Sequence, residues 1–232
     1  MKFIFYYILS LTLMIVSCNN EQQTTEVKTD SSSAPKQTEP PKEEEEEFIP
    51  VESDGAIVPG RRVDAVKVNS SEKSMIRDYG KNKVVSRQLD EGEGNIVSAT
   101  VLFPGEKNEL EVFWKDAVNK QNPRLIKIKG KGAMWNIDHK ISIGTDLETL
   151  LALNKKPFFI TGCCFDAPFT VINWNNGSVA KLTVPGVVIR LTPTVNTAEL
   201  NKKIVGDESY PVTDNLIRNA KMEVSTIIVR FD

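Results

Sequence analysis

Short runs of alternating apolar and polar residues, separated by Gly, Pro and Asn, fill the chain from Val51 to its end. Alternation with a period of two is typical of half-buried strands, whereas apolar residues three and four apart indicate one face of a helix. By these criteria the sequence predicts an α+β fold of short helices and antiparallel strands. The predicted strands cover 63–68, 84–89, 96–103, 110–114, 124–129, 158–165, 169–174, 187–191 and 224–231.

The first helix is predicted directly after strand 63–68. Residues 69–71, Asn-Ser-Ser, supply an N-cap, and the apolar residues Met75, Ile76 and Tyr79 share one face of the helix. Gly80 is suited to end it, because glycine readily adopts the backbone angles of a helix C-terminus.

A second helix is predicted after the run Ile-Ser-Ile at 141–143 and before strand 158–165. Thr145 and Glu148 have the spacing of a capping box, better than the first helix offers, and Leu147, Leu150 and Leu151 form a buried stripe. The helix thus repeats the strand-then-helix order seen earlier in the chain.

The two helix-plus-strand units suggest an internal duplication, with repeats at 57–130 and 135–232. Trp174 stands in the same place relative to its predicted hairpin as Trp114 does in the first unit. The sequence Asn-Asn-Gly at 175–177 predicts a tight hairpin turn, because Asn-Gly tolerates positive φ angles. Chance recurrence of a short αβ motif is the alternative.

The last part of the chain predicts two more short helices and a buried strand. One helix is expected within 194–203, and Asp214 is an N-cap for the other. Apolar residues recur at alternate positions along strand 224–231, so we expect this strand to pair inside a sheet. The inward face of the Asp214 helix is predicted to be Leu216, Ile217 and Ala220.

Residues 1–18 have the pattern of a secretory signal: Lys2, then an apolar run over 3–16 that is short for a membrane span. The end of this run, Ile-Val-Ser-Cys at 15–18, resembles the lipobox of bacterial lipoproteins. That resemblance implies acylation of Cys18, palmitate included, and a lipid anchor in the cell envelope, with the outer membrane favoured over the inner. The folded domain would then lie in the periplasm or at the cell surface. A plain signal peptide and a retained membrane helix are the alternatives.

Residues 19–50 predict a disordered linker, and 51–232 a folded domain. The linker holds nine acidic residues and three lysines but almost no large apolar side chain, so it cannot offset the conformational entropy lost on folding. The glutamate run at 43–47 is expected to act as a self-repelling spacer rather than a metal site, because a flexible run offers no fixed geometry.

The charge distribution argues against nucleic-acid binding. The formal charge of −2 divides into +1 over residues 1–18, −6 over 19–50 and +3 over the remainder. A net charge of +3 on the folded part falls short of the concentrated positive face that phosphate neutralisation needs.

No catalytic signature or cofactor motif is present. His139, in a polar turn, is the single histidine, which excludes metal sites built from several histidines. The sequence also contains no nucleophile motif that could form a catalytic triad with it. The glycine-containing runs at 60–62, 92–94 and 130–132 lack the strand-to-helix context of a phosphate-binding loop. We therefore expect no cofactor, no metal and no catalytic residue.

Four residues are the first places to look for a ligand site: Cys163, Cys164, Asp166 and Trp174. Adjacent cysteines are either a vicinal disulfide switch or two small apolar side chains. Asp166 lies between two apolar strands, where an Asx turn is the structural alternative to a functional carboxylate. Trp174 either lines a ligand surface or packs at the core's rim.

The pattern Ile-Ser-Ile-Gly-Thr-Asp-Leu at 141–147, followed by a hairpin with Trp, resembles bacterial envelope lipoproteins of unknown function over 57–191. More distantly, the capped helix with antiparallel strands resembles tandem-repeat β-lactamase-inhibitor-protein modules and the small lipoprotein of the outer-membrane barrel-assembly complex. These resemblances imply fold and not activity.

The function predicted from the sequence is a lipid-anchored envelope protein whose domain binds an envelope partner without catalysis. One alternative is a carboxylate-dependent hydrolase of the envelope, which requires two carboxyls in a cleft. The other is a structural component of envelope assembly.

Overall fold

The computed structural model describes residues 51–195 and 198–231, and over these residues the chain forms fourteen strands and five helices. The fold is α+β and rich in strands, and the predicted signal, linker and Cys18 lie outside the described residues. The strands are β1 Ile57–Val58, β2 Arg62–Val63, β3 Val66–Lys67, β4 Val84–Asp90, β5 Ile96–Leu102, β6 Leu110–Asp116, β7 Gln121–Ile128, β8 Asn136–Ile137, β9 Ile141–Ser142, β10 Phe159–Ile160, β11 Val171–Asn173, β12 Val187–Pro193, β13 Tyr210–Pro211 and β14 Met222–Arg230. The helices are α1 Glu72–Tyr79, α2 Leu147–Asn154, α3 Ala180–Thr183, α4 Leu200–Lys203 and α5 Asn215–Asn219, with a 3-10 turn at Lys81–Lys83.

One six-stranded antiparallel sheet organises the fold. Its strand order is β12-β14-β7-β6-β5-β4, so four consecutive strands form a meander and the last strand, β14, lies between β7 and β12. The expectation that the terminal strand pairs inside a sheet is confirmed. The described residues also form three smaller sheets, whose strand orders are β1-β2-β3, β11-β10-β13 and β8-β9.

Strand alternation divides the large sheet into two faces. On β6, Leu110, Val112 and Trp114 belong to the main hydrophobic core, as predicted, while Phe113 points to the opposite face. The helices cover the first face, because α1, α2 and α5 each contribute a fully buried apolar side chain to the same core. These helix residues include Met75, Leu147, Leu150 and Ile217.

The second face carries a much smaller apolar cluster of Ala99, Phe113, Leu125 and Ile228. Lys127 extends across this cluster, with its Nζ 5.0 Å from the centre of the Phe113 ring. The same Nζ donates to the carbonyl oxygen of Asp90 at 2.8 Å, which ties the β4–β5 turn to this face. Long charged side chains can cover apolar surface in this way while their ends stay polar.

The helices predicted in the two units both form. The first is capped as predicted, by Ser71 at its start and Gly80 at its end, whereas the cap of the second differs from the prediction. The first helix has the capping box: Ser71 accepts from the backbone of Ser74, and the Ser74 hydroxyl accepts from the backbone of Ser71. The predicted capping box at the second helix is wrong, because Asp146 is the N-cap and accepts from the backbone of Thr149 at 2.7 Å. Glu148 instead forms an ion pair with Arg218.

The predicted strand 63–68 is wrong as one strand, since it is the hairpin of β2 and β3. The chain reverses at Asp64, which has a positive φ of 54°. The buried Asp64 carboxylate fixes this turn by accepting hydrogen bonds from the Ser53 and Tyr79 hydroxyls. A local polar anchor thus overrides the apolar alternation.

The predicted strand 158–165 also breaks, because β10 ends at Ile160. From Gly162 the backbone turns to pair with the segment after α4: the Gly162 amide donates to Gly206 and the Cys163 amide to Ile204, both at 2.8 Å. Gly162 permits this approach, since a Cβ there would lie 2.6 Å from the carbonyl carbon of Val205.

In the Asn-Asn-Gly turn the positive φ angles fall on Asn175 and Asn176 rather than on the Asn-Gly pair, and the segment does not form a hairpin. After Gly177 the chain enters α3. Gly177 packs against the buried Asn154, whose side-chain oxygen would lie 2.1 Å from a Cβ at this position. The hairpin prediction is therefore wrong, because a tertiary contact with α2 determines the direction of the chain.

The two predicted repeats are alike only up to their helices. A two-stranded hairpin precedes each helix, β2-β3 before α1 and β8-β9 before α2. After α1 come four long strands of one sheet, whereas β10 and β11 after α2 are short and belong to another sheet. Duplication of the whole unit stays a prediction.

Candidate functional site

A cleft of about 440 Å³ opens on the second face of the large sheet. Three arginines and three carboxylates line it, so its wall carries both signs of charge. Its lining residues are Glu91, Gly92, Glu93, Arg124, Leu125, Asp166, Ala167, Arg190, Arg230 and Phe231.

Alternation along β12 and β14 directs two of these arginines into the cleft. The flanking residues of Arg190 (Ile189 and Leu191) and of Arg230 (Val229 and Phe231) belong to the main core. Each arginine therefore points to the opposite face of the sheet, because successive strand residues alternate between faces.

Arg124 reaches the same cleft from the adjoining strand β7. The amide of Phe231 donates to the carbonyl oxygen of Arg124 at 2.9 Å, which holds the end of β14 beside the start of β7. The Arg124 guanidinium forms an ion pair with Glu91. Glu91 belongs to the β4–β5 turn, so this pair joins that turn to the wall of the cleft.

Arg190 and Arg230 have no such partner within the described residues. Among residues 51–195 and 198–231 no carboxylate lies within ion-pair distance of either guanidinium. The Nε of Arg190 is buried without a hydrogen-bond partner in the same set of residues. Burial, and next the charge of Arg230, lower the pKa of Arg190 from its ordinary value.

This arrangement is suited to binding an anionic group. A guanidinium presents five N–H donors in a planar fork that matches carboxylate or phosphate geometry, and it remains charged at neutral pH. Buried polar groups in proteins are normally hydrogen-bonded. The unpartnered Nε of Arg190 is thus a donor for which the described chain supplies no acceptor.

Asp166 is brought to the rim of this cleft. It lies in the loop between β10 and β11, where the Thr161 and Thr170 hydroxyls both donate to the carbonyl oxygen of Ala167. These two bonds fix Ala167, the neighbour of Asp166, in the cleft lining. No side-chain hydrogen bond of Asp166 occurs within the described residues, so the expected Asx turn does not form there.

Cys163 and Cys164 are joined to each other by a disulfide at the start of the same loop. Cys164 has a positive φ of 74°, and this backbone turn brings the two side chains together. In an extended strand they would point to opposite faces. Cys163 is buried and Cys164 is exposed.

Trp174 is not part of the cleft. Its half-buried ring packs against Phe158, with the ring centres 4.7 Å apart. Its carbonyl oxygen accepts a hydrogen bond from the Asn154 side chain. Trp174 therefore lies at the edge of the main core, which is the structural alternative considered for it.

Sequence reasoning missed the three arginines. A signal exists in two of the predicted strands, where Arg190 interrupts Val-Val-Ile-Arg-Leu and Arg230 follows Ile-Ile-Val. A charged residue inside an apolar run is costly unless it meets a partner or a ligand. The pairing of β12 with β14, which brings the two interruptions to one face, is not readable from the local pattern.

A second polar cluster lies on the helix-covered face, around Glu72 of α1. The Glu72 carboxylate accepts from the Thr100 hydroxyl at 2.5 Å and from Lys120 Nζ at 2.9 Å. Thr100 in turn accepts from the indole N–H of Trp114 at 2.9 Å. Lys120 also contacts Ser86, whose hydroxyl donates to the Glu72 carboxylate at 3.1 Å, so the polar groups of the cluster are partnered by one another. This cluster is structural.

His139 lies in the exposed turn between β8 and β9, where its amide donates to the Asn136 side chain. Over the described ranges no three His, Cys, Asp or Glu residues are grouped so that they could hold a metal ion. In the same ranges, none of the helices has the length and apolar character required to cross a bilayer.

No family model matches the chain, and the searches of curated proteins and of solved structures found no match.

Proposed function

We propose that this chain is a lipid-anchored protein of the bacterial cell envelope whose folded domain binds an acidic partner, without catalysis, at the arginine-lined cleft. Cys18 would carry the lipid and residues 19–50 would act as a spacer that lets the domain reach its partner. Lipidation adds about 0.8 kcal/mol of membrane affinity per buried methylene group, so several acyl chains would give stable anchoring.

The observation that carries the proposal is the pair Arg190 and Arg230. Both guanidiniums line one cleft without a carboxylate partner in the described chain, and Arg190 is partly desolvated. Such an arrangement costs folding free energy unless a ligand supplies the negative charge. A carboxylate or phosphate group on the partner would complete it.

An envelope protein with exposed acidic side chains is the partner class that fits best. Asp166 and Glu93 at the rim add negative charge beside the arginines, so the cleft presents both signs. A cleft with both positive and negative side chains favours a protein surface of complementary charge over a free anion. Complementary potentials of this kind determine the specificity and orientation of binding.

The hydrolase alternative draws on the same cleft, which holds Glu91, Glu93 and Asp166. Carboxylate-dependent hydrolysis requires one carboxyl that stays protonated to act as an acid. Glu91 is already engaged in an ion pair with Arg124, which occupies one of the carboxyls that such a reaction would need. Binding therefore accounts for the lining better than acid–base catalysis does.

We place the domain in the periplasm or at the cell surface, with outer-membrane anchoring favoured, on the strength of the lipobox resemblance.

We also propose that the hairpin–helix pairs β2-β3-α1 and β8-β9-α2 derive from a duplication. Their matching order supports this, and the strands that follow them would have diverged.

Site-specific photo-crosslinking in the intact envelope tests the proposed function. A photoreactive residue at the exposed Glu93 would report on the cleft, and one at Met134 serves as the control. Met134 is equally on the surface but contacts Asn108 in the β5–β6 turn, at the end of the sheet opposite the β4–β5 turn. Both probes are placed in the full-length lipidated chain.

We expect a discrete protein adduct from Glu93 that is lost when Arg190 and Arg230 are both replaced by Met. An adduct from Met134 alone, or none from Glu93, would contradict the proposal. If the captured partner belongs to a barrel-assembly or peptidoglycan complex, the structural-component alternative would take its place as the more specific function.

A further inference from the structure

The Cys163–Cys164 disulfide occupies a defined position between a buried segment and an exposed loop. On its inner side the backbone of Cys163 pairs with the chain after α4: its amide donates to Ile204 and its carbonyl accepts from Gly206 at 3.1 Å. On its outer side Cys164 begins an exposed run that includes Phe165, whose side chain is 58% exposed.

The two sulfurs therefore differ in access to solvent. Cys163 is 4% exposed and belongs to the main core, whereas Cys164 lies on the surface. Disulfide exchange proceeds by attack of a thiolate on one sulfur, and access determines which sulfur is attacked. Attack on Cys164 is open from solvent, while attack on Cys163 requires the loop to move away from α4.

The surroundings of the Cys163 sulfur are also suited to a reduced thiol. Sγ of Cys163 lies 3.5 Å from the carbonyl oxygen of Asn201 in α4. A disulfide sulfur has no hydrogen to donate, whereas a thiol is a weak donor. When the bond opens, the Cys163 thiol therefore finds an acceptor already in place and needs no rearrangement of α4.

We propose that Cys163–Cys164 is a thiol–disulfide exchange site that takes an external dithiol as its reductant, with Cys164 as the attacked sulfur and Cys163 as the leaving group. This inference does not depend on the proposed function of the cleft. The partner is identified by its chemistry alone, as a small or protein dithiol able to approach an exposed loop.

The proposed exchange has two steps. One thiolate of the dithiol bonds to Sγ of Cys164, the Cys163–Cys164 bond breaks, and its electron pair goes to Sγ of Cys163, which takes a proton. The second thiol of the reductant then displaces Cys164, which leaves and is protonated. Two electrons and two protons reach the protein, and the dithiol becomes a disulfide.

Opening the bond would act on the loop that borders the cleft. Asp166 and Ala167 follow Cys164 after one intervening residue, Phe165, and they line the cleft wall. Without the covalent ring, Cys164 is free to leave its positive φ, which is unfavourable for a residue with a side chain. The redox state is therefore coupled to the loop's conformational freedom through a path of two residues.

Mapping of a mixed disulfide tests the assignment in the native full-length protein. Non-reduced protein in detergent is treated with glutathione, quenched with acid and digested with trypsin, which places Cys18 on a separate peptide from the pair. We expect glutathione on Cys164 and a free thiol on Cys163, with a preference of at least about ten-fold.

Any of three results would overturn the proposal: two free thiols in the non-reduced protein, glutathione chiefly on Cys163, or exchange only after denaturation. A second measurement compares iodoacetamide alkylation of Cys163→Ser, which leaves Cys164, with that of Cys164→Ser, which leaves Cys163. We expect the first variant to react at least about ten-fold faster, because its thiol is exposed. Equal alkylation rates in two variants that both retain the wild-type circular dichroism spectrum would contradict the proposal. The glutathione experiment uses the wild-type protein and so does not require either variant to fold.

Discussion

Arg190 and Arg230 line one cleft from neighbouring antiparallel strands, and the charge of Arg230 adds to burial in lowering the pKa of Arg190. Two like charges held together in a partly desolvated place destabilise the folded chain. The pair is therefore better explained by binding than by stability. Residues placed for binding commonly reduce stability, so that replacing them can strengthen the fold.

Replacing Arg190 with Met is accordingly expected to stabilise the protein by about 0.5–2 kcal/mol, since Met keeps the apolar stem and removes the buried charge. Urea unfolding of the full-length chain, followed by tryptophan fluorescence, measures the change. Arg218→Ala is the matched control, because that exposed arginine pairs with Glu148 on the helix-covered side and its loss should change stability by less than about 1 kcal/mol. A destabilised Arg190→Met variant would contradict the account.

The Glu72 cluster predicts a pH-dependent contribution to stability. Burial raises the pKa of Glu72, but hydrogen bonds from Thr100 and Lys120 outweigh burial and leave the pKa below its ordinary value. A carboxyl with a depressed folded-state pKa stabilises the fold above its unfolded pKa of about 4.3, and this contribution is lost as the pH falls through the folded value.

Glu72→Gln should therefore cost about 1–3 kcal/mol at neutral pH, where it weakens a partly buried charged hydrogen-bond network, and less near pH 3. Urea unfolding at the two pH values gives the difference. Glu148→Gln removes an exposed ion pair and serves as the control, with an expected change below about 1 kcal/mol at neutral pH. An equal loss for Glu72→Gln at both pH values would show that the charge of Glu72 is not involved.

Gly177 is predicted to be intolerant of any side chain. A Cβ there would lie 2.1 Å from Oδ1 of Asn154, a fully buried residue whose side-chain nitrogen donates to the carbonyls of Lys156 and Trp174. Gly177→Ala should cost about 3 kcal/mol or more, because the clash breaks a buried hydrogen-bonded network.

Gly105→Ala is the comparison for this prediction. It has open space around it but a positive φ of 77°, so its cost should be limited to backbone strain of about 1 kcal/mol. Thermal unfolding of both variants gives the ranking. A smaller loss at Gly177 than at Gly105 would mean that Asn154 can move away without cost.

The lipid anchor is tested at Cys18. Cys18→Ser should abolish incorporation of labelled palmitate and shift the protein out of the membrane fraction, because the acylated cysteine is the expected attachment point. Fractionation and autoradiography measure both effects. Unchanged membrane association in Cys18→Ser would favour the retained-helix alternative.

The sequence was informative wherever structure depends on neighbours along the chain. The alternation in β4 to β7 and in β14 predicts those strands and assigns the main-core face of β6, and Asp214 caps α5 as expected. These features rest on a period of two or on a single side chain close to the backbone it caps.

Prediction failed where distant contacts decide the structure. Strand 158–165 reads as continuous, but Gly162 leaves it to pack on the backbone after α4. The Asn-Gly turn reads as a hairpin, but contact of Gly177 with Asn154 directs the chain into α3. The cleft depends on β14 lying between β7 and β12, a long-range pairing that no local pattern contains.

The central claim is that Arg190 and Arg230 bind an anionic group, and anion-dependent thermal stabilisation tests it most directly. The melting temperature of the full-length protein is measured against citrate and inorganic phosphate, with sodium chloride added to hold ionic strength constant. A ligand that binds only the folded state stabilises it by RT ln(1 + [L]/Kd), about 2.7 kcal/mol at 100 times Kd. The account predicts saturable stabilisation of the wild type and of Arg218→Ala, and its loss in the Arg190→Met/Arg230→Met variant; an equal rise in all three proteins would contradict it.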